Sequence, residues 1–446
     1  LENAYKLTEI RATYRAAPLL AQLNLRRMNA SLASIKDLYV KAFTGLPRKV
    51  WLLSFIMLIN RSGAMVVAFL SVYLINSRGF SPIDAGYVMA TFGAGGVVGN
   101  YIGGILNDRY GSWHIMVASL FLSGVLHIVL AYVTDFWGLC GLVFLISIVA
   151  DAFRPANRAA IAIYAPPERL TQSYGLQRMA VNLGFSIGPA LGGFLIYEFG
   201  YSLMFWGDGI TYLLAGILFL VLLPKDETAV PLVSEEDRAA DRAAYARGEA
   251  GGSKPAFREP WLVMYVVANA FIMLCFFNLF STFSPYLASA GYDERLIGLL
   301  FTISGVVIVA VEMPALYVIE SRYRLIKVML IGAGIIILSF ALLPLAVGLG
   351  FLALSLCVIL LSLGEITYMP LTNAYLSKYA PPARRGEYLG VLSASYSAAF
   401  ILAQLVGFGV AELYGYGAAI LVSCAVAGAG VWILSRVDGV RTGGGL

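Results

Sequence analysis

The sequence predicts an all-α membrane protein of twelve transmembrane helices arranged as two pseudo-symmetric six-helix halves. Three observations lead there: a scarcity of charge, twelve apolar runs of bilayer length, and a repeat that lays the second half over the first. Of 446 residues, 59% are hydrophobic and 13% charged. A water-soluble chain carries about 25% charged residues, so this one lacks the charge to solvate an outer surface.

A hydrocarbon core about 30 Å thick needs roughly 20 apolar residues per helix. Runs of that order lie near 50–75, 84–106, 113–133, 138–160, 174–198 and 202–223. They resume near 260–285, 296–319, 326–347, 350–376, 387–411 and 416–435. The chain therefore divides into an N-terminal segment 1–49, a six-helix half 50–223, a polar linker 224–259, a second half 260–436 and a tail 437–446. The linker opens at Pro224, carries an Ala-rich charged run from Glu235 to Arg247, and reads as a boundary and not a folded domain.

Basic residues orient the bundle, because cytoplasmic loops retain Lys and Arg. Lys36, Lys41, Arg48 and Lys49 precede the first span, and Arg238, Arg242, Arg247, Lys254 and Arg258 fill the linker, whereas the opposite side shows only Arg78 and Arg295. Both termini are expected in the cytoplasm of a multi-pass cell-membrane protein, with the bacterial inner membrane as the setting. The net charge of +5 follows from this topology and implies no nucleic-acid partner. No cleavable signal peptide is expected, since the first apolar run starts near residue 50. Met28 and the basic stretch after it resemble a start; residues 1–27 and Gly443–Leu446 then read as added sequence, or 5–45 as an amphipathic helix on the membrane surface. Cys140, Cys275, Cys357 and Cys424 all fall within spans and read as apolar packing residues, with no disulfide and no metal site.

Self-comparison supports duplication. An offset of 212 lays Gly86 on Gly298, Gly93 on Gly305 and Asp108 on Glu320; one of 215 lays Pro155 on Pro370 and Ala165-Pro166-Pro167 on Ala380-Pro381-Pro382. Two six-span halves around a central pathway suit alternating access.

Between the second and third spans runs Gly103-Gly104-Ile105-Leu106-Asn107-Asp108-Arg109-Tyr110-Gly111. It resembles the signature loop of the major facilitator superfamily, G-x-L-x-D-R-x-G, with Asp108, Arg109 and Gly111 matching; Ser112 and Trp113 stand where the family continues with basic residues. The resemblance implies a conformational gate at Asp108, Arg109 and Gly111, with Arg158 facing it. The fifth span contains Gly184, Gly188, Pro189, Gly192 and Gly193, similar to the G-x-x-x-G-P-x-x-G-G element of the proton-coupled drug antiporter branch. Glycines at that spacing let a neighbouring helix approach closely. The segment Gly364-Glu365-Ile366-Thr367-Tyr368-Met369-Pro370 resembles the tenth span of proton-coupled oligopeptide transporters, but the first span holds only Asn60-Arg61-Ser62-Gly63 where that branch has E-x-x-E-R-F-x-Y-Y-G.

Ionisable groups within a span each need a reason, costing roughly 2.5–3.5 kcal/mol by insertion scales. Asp151 and Arg154 share one helical face, Glu365 is near mid-span, and Glu312 lies in the cytoplasmic half of its helix. Asp151, Glu365 and Glu312 are read as proton-coupling carboxylates, with Arg61 and Arg154 as charge partners. The competing reading is structural: an Asp151–Arg154 pair satisfied within one helix, and a gate salt bridge at Glu312. Asn60, Arg61, Asn182, Asn278, Tyr368 and Asn373 are read as substrate contacts. Asp208, Glu198 and Glu412 are placed at the membrane interface, and His127 is a proton carrier or a hydrogen-bonded packing residue. No G-x-x-x-x-G-K-[ST] loop supports an ATP-driven pump, and two histidines without a partner motif give no enzyme site. The expectation is a monomeric secondary transporter without cofactor, taking protons and a small-molecule substrate through the lipid bilayer. Export of hydrophobic or amphipathic compounds is the leading reading; uptake of peptides, amino acids or another small polar solute is the alternative.

Overall fold

The computed structural model describes residues 44–225, 258–380 and 385–441. All but the last two residues of the expected amphipathic segment 5–45, most of the linker and Gly443–Leu446 therefore lie outside the described residues. The first half comprises α1 (Arg48–Arg61), α2 (Met65–Val72, continued by a π turn Tyr73–Ser77), α3 (Pro82–Tyr110), α4 (Ser112–Leu130), α5 (Phe136–Tyr164), α6 (Leu170–Phe199) and α7 (Ser202–Leu222). The second comprises α8 (Pro260–Phe276, extended by a tight turn Phe277–Phe280), α9 (Phe283–Ser289), α10 (Glu294–Arg322), α11 (Leu325–Leu349), α12 (Phe351–Tyr379), α13 (Arg385–Tyr414) and α14 (Tyr416–Arg441). Among the described residues these form twelve apolar spans, the first and seventh each built from two pieces.

Local chemistry sets the helix ends. Ser81 and Asp135 cap α3 and α5 by accepting the N–H of Asp84 at 3.2 Å and of Gly138 at 2.7 Å. Asp293 caps α10 through the N–H of Leu296 at 2.9 Å. Partial burial opposes ionisation of Asp293, but that N–H and the Arg295 guanidinium outweigh it and hold the carboxyl below its ordinary range. Gly111 ends α3 with φ near +82°, a conformation that favours a residue without Cβ.

Small residues fix the closest crossings. A Cβ on Gly95, Gly99 or Gly103 of α3 would run into the α5 backbone at Phe144, Ile148 and Ala152. A Cβ on Gly184, Gly188 or Gly192 of α6 would meet Arg61, Ala64 and Met65, while one on Gly193 would meet Glu294 of α10. Helix α6 is thus pressed between the first span and the second half.

The halves join along α6 with α10 and α3 with α13. On the face away from the termini they are bolted together. Glu412 accepts the N–H of Ile83 at 2.9 Å, the Tyr201 hydroxyl donates to Glu294 at 2.5 Å, and the Arg295 guanidinium lies 3.4 Å from the Tyr197 ring centre. Toward the termini, α5 and α12 share no extended contact, and Arg154, Arg158 and Asn373 are exposed.

Candidate functional site

The interior charges fall into two groups, one within the first half and one spanning the two halves. In the first half, Arg154 Nε lies 2.8 Å from Asp151 Oδ1, an i,i+3 pair on α5. Asp151 itself is buried against Gly96 of α3, where an added Cβ would come within 2.5 Å of its carboxylate. The Arg154 side chain is 49% exposed, and a guanidinium at mid-span gains this only in water and not in lipid.

Arg61 ends α1. Its guanidinium lies 5.7 Å from the Phe185 ring centre and within electrostatic reach of Tyr212, Arg154 and Asp151. Its Nε and the neighbouring Asn60 Nδ2 are buried and find no hydrogen-bond acceptor among the described residues.

The second group bridges the halves. Arg178 and Asn182, one helical turn apart on α6, both donate to the carboxylate of Glu312 on α10, the amide at 3.1 Å. Glu365 on α12 lies within electrostatic reach of Glu312 and Arg178 and makes no ion pair of its own among the described residues. Sequence reasoning passed over Arg178. It is a cation inside a predicted span, one turn before Asn182, and that spacing was the available signal.

The structure separates the six expected substrate contacts. Asn373 is exposed, Asn182 is engaged with Glu312, and Asn60 and Arg61 carry buried unpartnered donors. Tyr368 and Asn278 are different: both are fully enclosed. The Tyr368 hydroxyl donates to Asn269 at 3.3 Å inside the second half, and Asn278 ties the broken seventh span by donating to the Cys275 carbonyl at 3.0 Å and accepting from Thr282 at 3.0 Å. Both side chains spend these hydrogen bonds inside the second half in this conformation.

The interfacial placement of Asp208 is corrected: only 2% of it is exposed. It lies near the end of its span along the membrane normal but faces inward, toward the N–H groups of Met65 and Val66. Glu198 and Glu412 are exposed at helix ends. On the termini face, Asp108, Arg109 and Arg158 are exposed; Arg109 rests against the Tyr110 ring, and the Arg158 carbonyl accepts the Tyr174 hydroxyl at 3.1 Å.

A family profile for the Major Facilitator Superfamily matches residues 50–359 and 265–443. YqjV of Bacillus subtilis, an MFS-type transporter, is 25% identical over 346 residues, covering 74% of this chain and 78% of that one. The quinolone resistance protein NorA of Staphylococcus aureus is 28% identical over 184 residues, 41% of this chain and 47% of its own. Among solved structures, the peptide transporter POT superposes with a TM-score of 0.73 at 16% identity, covering 90% of this chain and 96% of that one, which establishes a shared fold. With twelve membrane-spanning helices and that profile along nearly all of the described bundle, the chain belongs to the Major Facilitator Superfamily of membrane transporters.

Proposed function

We propose that the protein is a proton-coupled transporter working by alternating access, and that it exports hydrophobic or amphipathic compounds carrying positive charge. One observation carries the reading. Two carboxylates of the second half, Glu312 and Glu365, face a single guanidinium from the first, Arg178. Ionised, this set sums to one negative charge. In a low-dielectric interior it is satisfied by one further proton or one cationic group. A proton and a cation that compete for the same place produce exchange, because each must leave before the other enters. The partial likeness to a quinolone resistance protein supports export. The basic termini face is then cytoplasmic, the transporter acts as a monomer, and Asp108, Arg109, Gly111 and Arg158 form its gate. Asp151, held by Arg154, serves as a fixed wall charge and coupling falls to the Glu312–Glu365 pair.

A second reading rests on Arg61. With Asp151 engaged by Arg154, Arg61 makes no ion pair among the described residues and keeps an unpartnered donor, which suits a solute bearing a carboxylate. The fold shared with a peptide transporter is compatible with it.

The test is transport in proteoliposomes under an imposed pH gradient, with ethidium as the cationic probe and a dipeptide as the polar one. Gradient-driven ethidium flux lost in both Glu312→Gln and Glu365→Gln is the expected result. Gradient-driven flux retained in both variants overturns the coupling assignment, and dipeptide flux without ethidium flux overturns the export reading.

A further inference from the structure

The first half holds a second titratable cluster, apart from the Glu312 bridge. His127 on α4 and Asp208 on α7 are both almost wholly buried. Both Asp208 oxygens accept backbone N–H groups, from Met65 at 3.0 Å and Val66 at 3.1 Å. These are the first donors of α2, which begins beyond the stop of α1 at Arg61; the Met65 N–H also reaches the Gly63 carbonyl at 2.8 Å, and Asp208 alone takes the Val66 N–H.

The histidine ring is held on two sides. It stacks on Tyr212, with centroids 5.0 Å apart and planes at 20°, and its Nδ1 lies 2.8 Å from the Ser123 carbonyl oxygen. A carbonyl only accepts, so this contact requires a hydrogen on Nδ1. Nε2 then faces Asp208 Oδ2 at 4.0 Å. A neutral ring with its hydrogen on Nδ1 turns a bare lone pair toward an ionised carboxylate, and both are shut away from water. One added proton removes the conflict, giving either imidazolium with carboxylate or imidazole with carboxylic acid. The other charged or titratable groups facing this cluster are Tyr212 of α7, Arg61 of α1 and the Asp151–Arg154 pair of α5; α2 contributes its two backbone N–H groups.

We infer that His127 and Asp208 together form a proton-binding site inside the first half that controls the break in its first span. Asp208 is the acceptor on which the start of α2 hangs, and Gly63 within the break sits against the Thr211 side chain on the next turn of α7. Helix α2 in turn packs against α9 of the other half on the closed face. A proton taken from water at this pair changes the charge held directly beneath α2, so the grip on α2 follows the proton. The site is separate from Glu312 and Glu365 and stands or falls independently of the coupling proposed there.

The chain has two histidines, so the His114→Gln protein, labelled with nitrogen-15 histidine in lipid nanodiscs, reports His127 alone. Spectra across about pH 5 to 9 should show a neutral ring with its hydrogen on Nδ1. Asp208→Asn should change the ring's proton affinity at least about tenfold. A neutral ring carrying its hydrogen on Nε2, or an unchanged proton affinity in Asp208→Asn, overturns the proposal. Should Asp208→Asn fail to fold, amide exchange of residues 62–68 supplies the second measurement. After correction for intrinsic rates, protection in the wild type should change across the His127 titration, and that change should vanish in His127→Gln. Its persistence in His127→Gln overturns the link to the break.

Discussion

Asp208 and Asn278 meet the same local problem in the two halves. Each stands where the first span of its half is interrupted and holds backbone there, Asp208 accepting the first N–H groups of α2 and Asn278 donating to the Cys275 carbonyl at the end of α8. Replacing Asp208 by Ala strands the buried Val66 N–H and leaves the Met65 N–H only the Gly63 carbonyl, an expected loss of about 1–3 kcal/mol visible as a lowered melting temperature in detergent. His127→Ala, which leaves those donors engaged, should cost clearly less in the same assay. Neither role was legible from composition. Distance from the end of an apolar run gives depth in the membrane, and so Asp208 reads as interfacial; which way a side chain faces depends on the neighbours that pack on it. Arg178 escaped for a related reason. It lies near the start of its run, where a cation passes for an interfacial one, and only the arrival of α10 brings Glu312 to it.

At the scale of helices the reading went further. Length and apolarity suffice to place twelve spans, because a bilayer imposes both on any helix that crosses it. Breaks within the first and seventh spans are short polar dips, Asn60-Arg61-Ser62-Gly63 and Ser281-Thr282, that do not end the apolar runs around them and so pass unread. Crossing geometry was partly legible in the glycines. Gly99 faces Ile148 of α5 so closely that a Cβ would come within 2.8 Å of its Cα, whereas one on Gly104 would meet nothing within 4 Å. Gly99→Ala is therefore expected to destabilise the first half by about 1–3 kcal/mol, and Gly104→Ala to be neutral; thermal unfolding of the two purified variants checks the contrast. At the start of α10, Asp293→Ala removes the acceptor for the Leu296 N–H, with an expected loss of about 1 kcal/mol. Fraying of the first turn, followed by amide exchange at residues 294–298, measures it.

For the molecule as a whole, the repeat was readable because matching positions keep their residues: Gly86 and Gly298 both lie on helices that cross between the halves. The breaks follow the offset of 215, Arg61 at the end of α1 falling on Phe276 at the end of α8. The closed face was not readable, because its contacts join residues far apart in the chain. It gives a prediction at this scale. Tyr201→Phe removes the hydroxyl that reaches Glu294, worth about 1 kcal/mol. The population open away from the termini should rise about fivefold, measured by spin-label distances between α2 and α9. One further consequence comes from the inventory of interior charges. Fully ionised, Arg61, Arg154 and Arg178 balance Asp151, Glu312 and Glu365, three against three, and the His127–Asp208 pair adds no net charge once it holds one proton. On the proposed exchange mechanism, an empty carrier with that pair protonated moves no net charge when its halves rock. Loaded with one proton or one monovalent cation it moves one, which responds to membrane voltage by up to about 2.3 kcal/mol per 100 mV. Exchange of a proton for a singly charged cation is then electrically silent over the full cycle, while a neutral cargo makes every turnover carry current. The charge of the cargo decides whether the membrane potential helps to drive it.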